Sequence, residues 1–286
     1  MHRPECTDQA HGVFTQADLG LWYTQASFST DRRMAEYAHL NKAPIVEALV
    51  DFRVKPRDGL RVSDLQPIRE RLLKRYPTQK SIRQVTGQIS VNVQEGDVQA
   101  VQPAVHSSEA IGIRLESANG LHVLQAQVQG FTLSRLKPYD TWEALIEEAR
   151  SLWDVYVAVA APVSVTRVGT RYINRLELPL PMLDFEDYLT RQPEVPIGVP
   201  ELVSDFLSRV VAREPSLDAA IVVTQALEPV APGSNIVPML LDIDVFKVEN
   251  FDVNSKEYRE LLAQFRTVKN TAFFGSITEK MKELLA

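Results

Sequence analysis

The stretch Val163-Ser-Val-Thr-Arg-Val-Gly-Thr-Arg-Tyr-Ile-Asn-Arg-Leu-Glu-Leu-Pro179 reads as one long β-strand. Arg167, Arg171 and Arg175 recur every four residues. A strand alternates faces with period two, so the three arginines share one face, with Gly169 and Ile173 between them. Val168, Tyr172, Leu176 and Leu178 share the other. A strand polar on one side and apolar on the other fits a sheet covered by helices on one face only.

Upstream, Ile45–Val54 has the same character. Val46, Ala48, Val50, Phe52 and Val54 form an apolar face, and Glu47, Leu49, Asp51 and Arg53 a half-polar one. Ser63-Asp64 then offers a cap for a helix with Leu65, Ile68, Leu72 and Tyr76 on one stripe, Pro67 in its first turn and Pro77 at its end. Three strands are expected next, over Gly87–Gln94, Ala110–Glu116 and His122–Leu136. The Asn119-Gly120 pair marks a hairpin, and Gln125, Gln127 and Gln129 lie on a polar face. Asp140-Thr141 caps a helix whose stripe runs Trp142, Leu145, Ile146, Ala149, Leu152, Trp153 and Tyr156.

Beyond Pro179, short helices are expected over Asp184–Thr190 and Glu201–Ala212, separated by a loop or lid carrying Pro193, Pro196 and Pro200. Strands follow over Ala219–Leu227 and Ile236–Glu249, then a long helix with Tyr258, Leu261, Leu262, Phe265 and Val268 in phase. Ser276 with Glu279 resembles a capping box for a last helix.

The order of elements implies an α+β fold of two similar β-α-β-β-(β)-α halves, mainly an antiparallel twisted sheet with helices packed on one face. The expected division is residues 1–42 as a poorly structured N-terminal extension, 43–162 as the first half and 163–286 as the second, in one continuous globular unit. The first 33 residues show no sustained period, and Met34 offers an alternative start.

Three segments, Ala43–Ala48, Arg171–Pro179 and Asn270–Thr278, resemble the "sporadically distributed" family of uncharacterised bacterial proteins. The resemblance covers about residues 43–286. It implies a soluble bacterial protein and transfers no catalytic residue.

The formal net charge is −6 and the sequence pI about 5.5. Residues 164–286 hold 13 Lys and Arg against 18 Asp and Glu, so the half with the arginine strand is acidic. General nucleic-acid binding, which leaves a basic footprint, is disfavoured. The single cysteine, Cys6, cannot form an internal disulfide, and no apolar run approaches the ~20 residues that span a bilayer. A cytoplasmic protein without a signal peptide is expected.

Arg167, Arg171 and Arg175 are the sharpest candidates for function. Successive arginines stand ~13 Å apart, at ~3.3 Å per residue, which suits an extended anionic partner. With Asn174, Glu47 and Asp51 they make the candidate binding surface. They also suit a plain cross-strand ladder, if Glu47 and Asp51 or Asp242 and Asp244 lie on neighbouring strands. Asp242-Ile243-Asp244 puts two carboxylates on one face and could hold a metal. His2, His11, His39, His106 and His122 show no metal spacing, and His122, beside the Asn-Gly turn, is expected at the surface. No nucleophile elbow, phosphate loop or dinucleotide fingerprint occurs, so no catalytic residue and no cofactor are assigned. The expectation is a non-catalytic protein that binds a protein partner or a second copy of itself. The alternative is an enzyme or nucleotide-binding protein, with the arginines on phosphate and the two aspartates on a metal.

Overall fold

The computed structural model describes residues 40–286, apart from 89–90, 95–96, 101–103, 183, 192–193 and 199–202. Nearly all of the expected N-terminal extension, Met34 included, lies outside the described residues, as do Ile89, Pro193 and Pro200. The elements are β1 (Ile45–Lys55), α1 (Gln66–Leu72), β2 (Thr78–Gln88), β3 (Val91–Gln94), β4 (Asp97–Ala100), β5 (Ala104–Glu116), β6 (His122–Gln127), β7 (Gly130–Leu136) and α2 (Trp142–Ala160). Then come β8 (Ser164–Pro179), β9 (Leu207–Glu214), β10 (Ala219–Leu227), β11 (Ile236–Phe251), α3 (Glu257–Ser276) and α4 (Glu279–Leu285).

Nine strands form one antiparallel sheet in the order β2-β5-β6-β7-β1-β8-β11-β10-β9, and β3 pairs with β4 in a separate hairpin. The α+β class and the antiparallel sheet agree with the alternation in the sequence. β1 and β8 meet at the centre, each with its apolar residues turned to the core: Ala48 opposite Tyr172, and Phe52 opposite Val168.

Helices α2 and α3 bury their stripes against that apolar face. Thr141 caps α2, its hydroxyl accepting from Ala144 N at 3.2 Å. Ala161 ends α2 in the left-handed region (φ 45°), just before Pro162 stops any continuation. Phe52 lies 4.6 Å from the Trp153 ring and 5.6 Å from the Tyr258 ring. Trp153 Nε1 donates to the Tyr258 hydroxyl at 3.0 Å, and that hydroxyl donates to Val253 O at 2.8 Å. A buried polar chain therefore ties α2 to α3.

Several local expectations differ from the structure. The helix expected over Glu201–Ala212 gives way to strand β9 from Leu207. Leu202, Phe206 and Val210 fit a helical step, but β-branched Val210 and Val211 are poor helix formers. The bare edge of β10 also offers a full ladder, from Ala226 opposite Leu207 to Ala219 opposite Glu214. The long strand His122–Leu136 is instead a hairpin turning at Val128-Gln129, so Gln129 leaves the polar face. Gly130, the first residue after the turn, allows β7 to approach β1 closely: a Cβ there would stand 2.8 Å from Phe52 O. Strand β2 begins at Thr78, well before Gly87, because an edge strand needs no clear apolar alternation. The capping box assigned to Ser276 falls elsewhere. Ser276 ends α3 with its hydroxyl on Ala272 O, and Thr278 caps α4 by accepting from Met281 N. Asp184 caps only a single 3-10 turn, Phe185–Asp187.

Tyr258→Phe removes the acceptor for a fully buried indole N–H and the hydroxyl that bonds Val253 O. It should destabilise the protein by ~1–3 kcal/mol in urea unfolding with the fold kept. A change within ~0.3 kcal/mol would deny the α2–α3 tie any energetic weight.

Candidate functional site

Strand alternation puts Arg167, Gly169, Arg171, Ile173 and Arg175 on the face of β8 opposite the helices. β1 supplies Glu47, Leu49, Asp51 and Arg53 to this face, and β11 supplies Asp242, Asp244 and Phe246. The strands carrying the acids therefore do flank the arginine strand. The ion pairs are diagonal rather than directly across. Asp51 stands opposite Gly169, Asp244 opposite Arg171 and Asp242 opposite Ile173. Arg167 and Arg171 each lean along β8 toward the following gap.

Arg167 is the best-held of the three. Its Nη1 donates to Asp51 Oδ2 at 2.5 Å and its Nη2 to Asp244 Oδ2 at 2.9 Å, so one guanidinium bridges β1, β8 and β11. Asp51 is only 8% exposed in its side chain and also accepts from Thr132 Oγ1 at 2.8 Å. The Arg167 guanidinium carbon lies 4.2 Å from the centre of the Phe246 ring. Gly169 leaves room for this: a Cβ there would come within 3.0 Å of both Arg167 Nη1 and Phe246 Cβ.

Arg171 grips Asp242 with two nitrogens, Nε at 2.8 Å from Oδ1 and Nη2 at 2.5 Å from Oδ2, while remaining 44% exposed. The hydrogen-bonded Asp242 raises the Arg171 pKa. Burial raises the Asp244 pKa despite Arg167 and Arg171 nearby. Arg175 lies apart from these, with Nε on Glu228 at 2.6 Å and Nη1 on Glu177 at 3.0 Å.

Of the residues the sequence singles out, Arg167, Asp51 and Asp244 form one cluster, and Arg171 and Asp242 the next. Glu47 adds charge near Arg171 without a direct ion pair. Asn174 does not join them. It is buried on the helix side, its amide on Leu241 O at 3.0 Å and Tyr172 O at 3.3 Å. Its odd spacing from the arginines already puts it on the other face. Asp242 and Asp244 are each an arginine's partner, and no group of three or more His, Cys, Asp or Glu is placed to hold a metal among the described residues. Sequence reasoning missed Glu177, Phe246, Thr132 and Glu228. The first two share face parity with known members, whereas Thr132 and Glu228 need the strand order. His122, expected at the surface, is half-buried.

No protein-family model matches the chain, and no curated protein matches it. Among the described residues, no helix is long and apolar enough to cross a membrane.

On the helix side of β8, the Tyr172 hydroxyl bonds that of Tyr139 at 3.0 Å, and Lys269 Nζ sits 3.8 Å from the Tyr172 ring centre. Lys269 has no carboxylate partner among the described residues. Burial first and Arg266 second push its amine down to about 7. The ring face favours the ammonium and opposes that shift without overcoming it.

Arg167→Ala strands Asp51 and Asp244 in a partly dry site and should cost ~2–4 kcal/mol in denaturant unfolding. Arg175→Ala, at a solvent-exposed pair, should cost under ~1 kcal/mol. Equal costs would contradict the bridging role. Lys269 contributes pH dependence of a definite sign. Its folded pKa lies below its unfolded value, so the unfolded chain binds more protons between about 7 and the ordinary lysine value of about 10.5, and stability rises with pH across that window. Lys269→Met should raise the urea midpoint more at about pH 6 than at about pH 10, and a pH-independent effect would refute the buried-amine assignment.

Proposed function

We propose that this is a non-catalytic binding protein that docks a protein partner, or a second copy of itself, on the polar face of the sheet. The charge balance of the ladder carries this assignment. Four arginines, Arg53, Arg167, Arg171 and Arg175, meet six carboxylates: Glu47, Asp51, Asp242, Asp244, Glu177 and Glu228. The ladder around β8 has little attraction for a polyanion, with Arg209 and Arg213 of β9 farther out on the same side of the sheet. It still presents hydrogen-bonding groups, because Arg171 uses only Nε and Nη2 on Asp242.

The neighbouring edge strand supports the same reading. Leu207, Val210 and Val211 of β9 are exposed, and among the described residues one side of its backbone has no strand beside it. Free edge groups with apolar side chains favour a protein contact over a nucleic-acid one. Ile197, in the proline-rich loop, is fully exposed.

Kinship with the "sporadically distributed" bacterial family and a cytoplasmic location belong to the proposal, as does descent of the two halves from one unit. In support of the last, β1 and β8 meet centrally. Each is followed outward by the last strand before its half's long helix, β7 and β11, and then by β6 and β10. The alternative, an enzyme or nucleotide-binding protein with the arginines on phosphate and Asp242 and Asp244 on a metal, requires the ladder's ion pairs to open.

Capture from native cells with wild type and with Arg171→Ala/Arg175→Ala tests the assignment, together with light scattering of the pure protein. Expected is one stoichiometric protein partner, or a concentration-dependent dimer, weakened in the variant and only mildly sensitive to salt. Steeply salt-dependent nucleic-acid binding, or metal-dependent turnover of a phosphate ester abolished by Asp242→Asn, would overturn it.

A further inference from the structure

A cleft of about 380 Å³ opens near one end of the β6–β7 hairpin. His122 and Arg135 stand there directly opposite each other. Arg135 also stands opposite Ala48, a core-face residue, which places it on the helix side of the sheet, away from the ladder. Thr141, Ala144, Leu145, Glu148 and Ser151 line the cleft from one side of α2, at three- and four-residue steps. Arg75, just beyond α1, completes it.

The charges in this cleft divide into satisfied and unsatisfied groups. Glu148 accepts from the Tyr76 hydroxyl at 2.6 Å and pairs with Arg75, whose Nη1 also donates to Ser151 Oγ at 3.3 Å. That group is complete. Arg135 has no ion-pair partner among the described residues, and its Nε is buried without an acceptor. Arg69 shows the same lack at Nε, and Arg114 Nε lies 3.2 Å from Glu116 Oε1 without a well-aligned hydrogen bond, but neither lines this cleft. A buried donor without a protein partner, on a guanidinium that an open cleft reaches, is available to a group that enters from outside.

His122 makes no side-chain hydrogen bond among the described residues. Burial and then Arg135 lower its pKa, with Arg75 adding to the effect and Glu148 opposing it. The imidazole thus registers a net positive inner wall. Asp140 and Glu147 stand exposed at the rim, neither in an ion pair among the described residues.

We propose that this cleft binds the carboxylate of a small organic acid, gripped by the Arg135 fork with His122 as the second donor. The planar guanidinium matches a carboxylate in two parallel hydrogen bonds. Phosphate has similar chemistry, but Asp140 and Glu147 repel a dianion more strongly than a monoanion. The volume suits a small molecule, within the ~300–1,000 Å³ typical of such sites. A bound carboxylate reverses the field at His122, so binding takes up a proton on the imidazole. The groups that set this titration are Arg135 from β7, Arg75 beyond α1, and Glu148, Glu147 and Asp140 from α2 and its approach.

The test follows the His122 imidazole by NMR through a pH titration of the full chain, with acetate, propionate or inorganic phosphate at equal ionic strength. Acetate or propionate should raise the His122 pKa by about one unit, equivalent to about tenfold tighter binding to the protonated ring. Arg135→Gln should abolish the rise, and Arg57→Gln, which does not line the cleft, should keep it. Arg135→Lys retains the charge but loses the fork. It should give a smaller rise, and it serves where the glutamine variant does not fold. No rise with either carboxylate in the wild type overturns the proposal, as does a rise undiminished in both Arg135 variants. A larger rise with phosphate overturns the choice of carboxylate.

Discussion

Arg167 holds three strands with one side chain. Its guanidinium reaches Asp51 on β1 and Asp244 on β11 from β8 between them, and these are the strands at which the two parts of the chain join. A one-residue slip of β8 would turn every arginine into the core and every tyrosine and leucine out of it. Burying three guanidinium groups under α2 and α3 would cost far more than any register error could recover. The diagonal pairing adds a finer constraint. Asp51 can receive Arg167 only if Gly169 stands across from it, because the guanidinium lies over the space a side chain would fill. Charge and shape thus select the same register.

The sheet separates two kinds of stability. On the helix side, Phe52, Trp153 and Tyr258 pack ring against ring, and their few polar atoms bond one another. On the ladder side the arginines are half-exposed and each is matched to carboxylate. Exposed pairs contribute little alone, so the ladder acts more as a specifier of alignment than as a source of stability. Lys269 breaks this division, being a buried cation on the apolar side that rests on an aromatic face and has no carboxylate partner among the described residues. Its amine gives up part of its charge at neutral pH, which shows how little the helix side tolerates an unmatched ion.

Period-two alternation in β1, β8 and β11, and the aromatic stripe of α2, were legible because each is a face many residues long. The caps of α2 and the Asn119-Gly120 turn were legible because they depend on local chemistry. What was not legible depended on neighbours distant in sequence. β9 is a strand because the edge of β10 lies beside it, and its own residues fit a helical step nearly as well. The turn at Val128-Gln129 lets β7 fold back between β6 and β1, where Gly130 passes close to Phe52 O. Thr132 and Glu228 entered the ladder only once the strand order was known. Asn174 was a misreading of parity alone, since its buried side follows from its odd distance to Arg171.

The contrast between Arg167 and Arg135 bears on where function is to be sought in such a chain. The arginines of β8 attract notice because they are periodic, but periodicity is what a strand requires of a face, and their neighbours on β1 and β11 already complete them. Arg135 belongs to no pattern. It faces a cleft assembled from the end of a hairpin, one side of a helix and the residue beyond another helix, and no local rule links those pieces. Folding favours completed charges, because an uncompensated one costs free energy in every molecule at all times. An arginine left incomplete beside an open volume is therefore the feature that folding alone does not account for, and the cleft around Arg135 and His122 is the place to look for a ligand.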